Sequence, residues 1–130
     1  MTTHLENNFS SYRPETFSLL LKQYASAPIA EPSMRWLLLE ALHVVGQTRW
    51  RPHLRTHWLM LVQALRDRDW NEAAGQLFRL AIAPLGHALG RLPIGNSGRS
   101  NISAFQPMPV REDIAEVISL AAASAHTNAL

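Results

Sequence analysis

The sequence predicts an all-α fold of antiparallel helical hairpins, about five helices in all, with a long ordered loop wrapping the bundle before the last helix. Three observations carry this. Apolar residues recur at helical spacing in successive segments, each segment is bracketed by a proline, a capping side chain or a glycine, and most connectors are only a few residues long. A chain of 130 residues with 47% hydrophobic and 17% charged content suffices for one core. The expected organisation is a frayed or disordered N-terminus over residues 1–13, a single helical domain over 14–123 and a frayed C-terminus over 124–130.

Pro14 and Glu15 open the first helix, proline in the first turn and acid at the positive end of the dipole, and it runs to about Ser26. The stretch Ala27 to Pro32 holds two prolines and reads as a connector, with Ser33 capping a second helix from Met34 to Val45. Leu38, Ala41, Leu42 and Val45 form its buried stripe, and Gly46 sits where a left-handed cap belongs. Pro52 opens the third helix, with Leu54, Trp58, Leu61, Val62 and Leu65 on one face and an end near Arg66. Asp69 followed by Glu72 resembles a capping box for the fourth, carried by Ala73, Leu77, Leu80 and Ala81 until Pro84 stops or kinks it. After Pro109 a fifth helix follows from Glu112 and Asp113 in its first turn and Ile114, Val117, Ile118 and Ala121 on one face. The run from Gly90 to Pro109 has neither period; its Ile94, Ile102, Phe105 and Met108 predict a loop that buries these side chains across the bundle.

Trp58, Leu61, Leu65, Ala74, Phe78 and Ala81 fall at the packing offsets of the tetratricopeptide pattern, so the hairpins resemble that repeat. Leu21, Leu38 and Ala41 fit the same template more loosely. A second resemblance rests on motifs in order: Ala41 to Gln47, His53 and His57-Trp58, Arg68-Asp69-Trp70, Gly75-Gln76, Gly95-Asn96-Ser97-Gly98, Asn101 to Phe105, and Pro107-Met108-Pro109. Across residues 34–110 the chain resembles a family of small bacterial proteins known only as a domain of unknown function. The resemblance implies a compact helical domain whose pattern includes His43, the His53/His57 pair and the polar loop, and it assigns no activity; the first helix departs most.

Composition excludes several classes. With no cysteine there are no disulfides, thiolate ligands or cysteine nucleophiles, and a metal site needs His and carboxylate ligands. The pI near 9.7 comes from eleven arginines and Lys22 against ten acids, a net charge of only +2, so nucleic acid is not expected as a partner. No basic start followed by an apolar run occupies Met1 to Phe17, and Leu77 to Leu92 is interrupted by Arg79, Pro84 and His87. The expectation is therefore a soluble, cytoplasmic protein with no membrane association.

One constellation can carry chemistry. Glu40 and His43 are three apart on the second helix, and His53 and His57 are four apart on the third; the short turn makes these helices antiparallel neighbours, placing His43 level with His53 and Glu40 with His57. Four such ligands from two facing helices can hold one zinc or iron ion. The competing reading is a hydrogen-bonded histidine cluster that fixes the junction, with Glu40 paired to Arg35 or Arg55. Gly95 to Arg99 reads as a structural turn, lacking the Lys-Ser/Thr ending of a nucleotide loop. His87, Arg79, His4 and His126 are solitary, and Trp36, Trp50, Trp58 and Trp70 read as core and interface anchors. No nucleophile or carboxylate pair suggests an enzyme. The expected function is a non-enzymatic binding module for a protein or peptide, open to homodimerisation; the alternative is a mononuclear zinc or iron protein using Glu40, His43, His53 and His57.

Overall fold

The computed structural model describes residue 9 and residues 11–128. The expected frayed N-terminus and His4 lie largely outside them. The described residues form five helices and no strand: α1 Pro14–Ser26, α2 Pro32–Gly46, α3 Trp50–Arg66, α4 Trp70–Leu89 and α5 Glu112–Asn128. Consecutive helices α1 to α4 pack as antiparallel neighbours through connectors of three to five residues. α2 is central, touching α1, α3 and α5; α5 also packs on α1, whereas among the helices α4 rests mainly on α3.

The helix starts obey end chemistry. Pro14 and Pro32 occupy first-turn positions where no intrahelical N–H is needed, so Pro32 belongs to α2 and not to the connector; no side-chain cap bond forms from Glu31. Asp69 caps α4 by accepting from the Glu72 N–H at 3.0 Å. α4 continues through Pro84 to Leu89 and closes on Gly90 at φ 68°, with the Arg91 N–H returning to the Gly86 carbonyl. That extra turn carries His87 back toward the start of α3. Gly46 is not a left-handed cap: its φ is not positive, and a Cβ there would meet Phe17 at 2.9 Å and Pro52 at 3.0 Å, so it permits close approach of α1 and α3.

The apolar core joins Phe17 and Leu20 of α1, Leu39, Leu42, Val44 and Val45 of α2, Met60, Leu61 and Ala64 of α3, and Ile114, Ile118 and Ala121 of α5. Beside it Arg35 donates to Gln63 Oε1 and to the carbonyls of Tyr24 and Ala27, and Trp36 Nε1 donates to Asp67, so the buried polar groups of α2 are matched. Trp36 is the one tryptophan in the core.

The α3–α4 hairpin is packed differently from the tetratricopeptide register. Of that set only Leu61 is buried; Trp58, Leu65, Ala74, Phe78 and Ala81 face outward. The inner face of α4 instead consists of Glu72, Ala73, Gln76, Arg79, Ala83 and Gly86. Polar side chains take the interior because they bind the imidazoles of α3 and the carbonyls of the loop, and the apolar side chains of the same helix are left outside.

The loop from 91 to 111 does close over the bundle, but not by burying its apolar residues. Ile94 and Ile102 are half-buried, Phe105 and Met108 exposed. Asn96, 1% exposed, anchors it: Nδ2 donates to the carbonyls of Ser103 and Gln106, and Oδ1 accepts from the Gly98 N–H. Gln47, with its amide oriented to satisfy both neighbours, donates to the Pro93 carbonyl at 2.8 Å and accepts from the Gly95 N–H at 2.7 Å. An irregular segment has unpaired backbone groups, and side-chain amides meet that need where isoleucines cannot.

Candidate metal centre

His43 from the last turn of α2 and His53 and His57 from the first two turns of α3 meet at the α2–α3 junction, all nearly fully buried. His43 Nε2 lies 3.0 Å from His53 Nε2, and His57 Nε2 lies 3.1 Å from the same atom. One donor atom from each of the three falls within 4.8 Å of the others. A face of three imidazole nitrogens around a tetrahedral ion has edges of about 3.3 Å for metal–nitrogen distances near 2.0–2.1 Å. The two separations that share His53 are within a few tenths of an ångström of that, whereas the His43–His57 edge extends to 4.8 Å, so those two rings must draw together to ligate one ion.

The opposite ring nitrogens fix the tautomers. His43 Nδ1 is 2.6 Å from the Asn96 carbonyl, which can only accept, so Nδ1 carries the proton. His57 Nδ1 is 2.7 Å from Gln76 Oε1, and the Gln76 amide nitrogen donates to Glu72 Oε1 at 2.8 Å and the Gly98 carbonyl at 3.0 Å, so its oxygen is the end facing His57. Both imidazoles therefore direct an Nε2 lone pair at His53. His53 Nδ1 lies 2.8 Å from Nε2 of the half-buried His87, a partner to which it can donate. With that proton on Nδ1, three lone pairs converge, each ring held by an outer hydrogen bond, the arrangement that orients histidine ligands.

Electrostatics keep the rings neutral. Burial pushes His53 down to about 3, helped by the neighbouring His57 and His87. Burial likewise takes His57 to about 4, opposed by its bond to Gln76, and holds His43 well below the usual imidazole range. Neutral imidazole is the ligating form.

Glu40, expected as a fourth ligand, stands apart. Its carboxylate contacts Arg111 at 2.7 Å and Arg99 at 3.4 Å, rather than Arg35 or Arg55. Residues three apart on a helix diverge by about 60° around its axis, and His43 takes the α3-facing direction while Glu40 faces the loop and the start of α5. Sequence reasoning missed His87, Gln76, Glu72 and Asn96. His87 had a readable signal: in an antiparallel α3–α4 hairpin the last turn of α4 lies beside the first turn of α3, provided the helix survives Pro84. His126, near the end of α5, takes no part in the cluster.

The polar loop motif follows from the cluster. A Cβ at Gly98, φ 85°, would lie 2.6 Å from the His43 ring, and one at Gly95, φ 80°, would overlap the Met108 carbonyl. Gly75 gives way to Ser100, whose hydroxyl donates to Glu72 Oε2 at 2.6 Å. Gly98→Ala is expected to destabilise the protein by about 2–4 kcal/mol, combining left-handed strain with overpacking on His43. Gly90→Ala, with a similar φ but nothing within 4 Å of the added Cβ, should cost only about 1 kcal/mol. Urea unfolding of the two variants separates the terms; equal losses would deny the loop its tight seat on His43.

Among the described residues no helix is long and apolar enough to cross a membrane. Comparison with curated proteins and with solved structures returns no match. The family described as "Protein of unknown function (DUF3703)" matches residues 13–118, taking in α1 as well as the motif-bearing segments, and the chain belongs to that family.

Proposed function

We propose that the protein binds a single transition-metal ion through His43, His53 and His57, with zinc as the best fit and iron the other candidate. The observation that carries this reading is the convergence of three Nε2 atoms whose Nδ1 atoms each have a fixed outer partner. Imidazole suits zinc and iron alike, but a trio of neutral imidazoles without a ligating carboxylate favours zinc over the oxygen-seeking iron sites. A hydrogen-bonded cluster alone explains the geometry less well, because at most one proton, on His53 Nε2, is available for the two lone pairs that face it. Metal analysis by plasma mass spectrometry on untagged protein is the test, beside the His53→Ala/His57→Ala variant. Near-stoichiometric metal that disappears in the variant is expected; metal-free protein that takes up no zinc on dialysis would leave a structural cluster.

A second reading rests on a separate surface. Trp58 and Leu65 of α3, seven residues apart, and Trp70, Leu77, Phe78, Leu85 and Leu89 of α4 are each 47% exposed or more. Both helices carry these residues at heptad-like spacing, the pattern of an association seam. At 150–250 Å² for each large aromatic, the face offers roughly 700 Å² of apolar surface, close to what one partner contributes to a standard interface. A second copy of the chain, closing four helices about a two-fold axis, is the occupant that reading favours. Sedimentation velocity should give a dimer that Trp58→Glu/Phe78→Glu converts to a monomer of unchanged helical content. A wild-type monomer at tens of micromolar would exclude it.

A further inference from the structure

We propose that the metal centre is open: its fourth position faces a small, partly open pocket and takes water or a small monoanion, so that the ion is accessible to ligands and not sealed as a structural zinc. The inference rests on the metal reading above. The two sides of the cluster differ. On one side the loop lies directly on His43, with the Asn96 carbonyl on Nδ1 and Gly98 so close that a Cβ would be 2.6 Å from the ring. On the other side His53 and His57, without His43, line a cavity of about 20 Å³ walled by Arg79, Ala83, Pro93 and Phe105. A cavity above roughly 10–15 Å³ holds one water.

Among the described residues no carboxylate is free to close the centre as a fourth ligand. Glu40 is held by Arg99 and Arg111, and Glu72 is taken up by Gln76, Ser100 and Arg99. Three protein ligands with one exchangeable position is the coordination of reactive zinc, whereas sealed structural sites use four protein ligands. The charge balance selects the kind of ligand. The three imidazoles contribute no negative charge, and Arg79, 5% exposed, lines the cavity while donating to the Ile102 and Gly75 carbonyls. A divalent ion beside that guanidinium, with Glu72 the nearest counter-charge, leaves a surplus of positive charge. The fourth ligand is therefore water, hydroxide or a compact monoanion of two or three atoms.

The test uses cobalt(II) in place of zinc and sodium azide as the probe. Cobalt-loaded protein should show the intense visible bands of a four-coordinate centre, and azide should shift them saturably. Ala83→Val, which adds two methyl groups to the pocket wall at a residue that is not a ligand, should retain stoichiometric cobalt but bind azide roughly tenfold more weakly. Arg79→Lys should also weaken azide while keeping the metal. Stoichiometric cobalt whose bands do not move with azide would overturn the open position and leave the metal reading intact. Failure to retain cobalt or zinc at all would overturn both. Azide that shifts the bands equally in wild type and Ala83→Val would show that it enters elsewhere, and would also defeat the cavity assignment.

Discussion

Thermal unfolding of His53→Ala is expected to be indifferent to zinc, whereas the unaltered protein gains roughly 10–20 °C at zinc concentrations a thousandfold above the dissociation constant. The magnitude follows from linkage: a ligand bound only to the folded chain stabilises it by about 4 kcal/mol at that ratio. For a chain of this size each kcal/mol moves the midpoint by several degrees. His53 is the position to change because its Nε2 is the atom nearest both other Nε2 atoms, and its loss leaves two ligands on different helices. Replacing an outer partner should have a graded effect. His87→Ala and Gln76→Ala are expected to weaken zinc by 10–100-fold without abolishing it, because they free a ring to rotate instead of removing a ligand. Differential scanning fluorimetry with and without zinc reads all three. A zinc shift in His53→Ala equal to that of wild type would place the metal elsewhere.

The helices were legible in the sequence, and so was half of the site. Pro14, Asp69 and the glycine-rich break announce ends through backbone chemistry that operates within a few residues, and the apolar periods of α2 and α5 match the faces that are buried. The step from His43 to His53 across a short turn could be placed because both lie next to that turn. What was not legible depended on the angular position of a side chain or on a distant segment. Glu40 and His43 share a face on paper, but a difference of about 60° sends one to the arginines and the other to the cluster. Pro84 read as a stop or a kink; it is not a stop, since α4 passes it and delivers His87 to His53. On α4 both faces carry apolar residues, Ala73 and Ala83 on one and Leu77, Phe78 and Leu85 on the other. Which faces inward is decided by Glu72, Gln76 and Arg79, whose partners on the loop and α3 are remote in sequence. Hydrophobic periodicity alone therefore chose the wrong side, and the same inversion produces both the polar interior of the site and the exposed apolar seam.

That polar interior makes the metal-free protein sensitive to acid, with a sign fixed by the direction of the shifts. The ordinary histidine value is 6.5; in the folded chain burial lowers His53 to about 3, His57 to about 4, and His43 well below the usual range. Between these values and 6.5 the unfolded chain binds more protons than the folded one, so stability falls as the pH is lowered through 6.5 and continues to fall toward 4. At pH 5 His53 and His57 each contribute a loss on the order of 2 kcal/mol, His43 acts in the same direction, and the contributions of touching rings are not additive. Glu40 acts in the opposite sense, since burial raises its pKa against the pull of Arg111 and Arg99 and the folded chain takes up its proton first as the pH falls. One carboxyl does not offset three imidazoles. Urea unfolding of chelator-treated protein at pH 7 and pH 5 should therefore differ by about 4 kcal/mol, a large part of a domain's typical 5–15 kcal/mol. His53→Gln/His57→Gln, which keeps polar groups of similar length but removes two titrating rings, should lose less than half as much over the same interval. A variant profile as steep as wild type would assign the acid sensitivity to groups outside the cluster, and with it would fall the claim that these histidines are held neutral and ready to ligate.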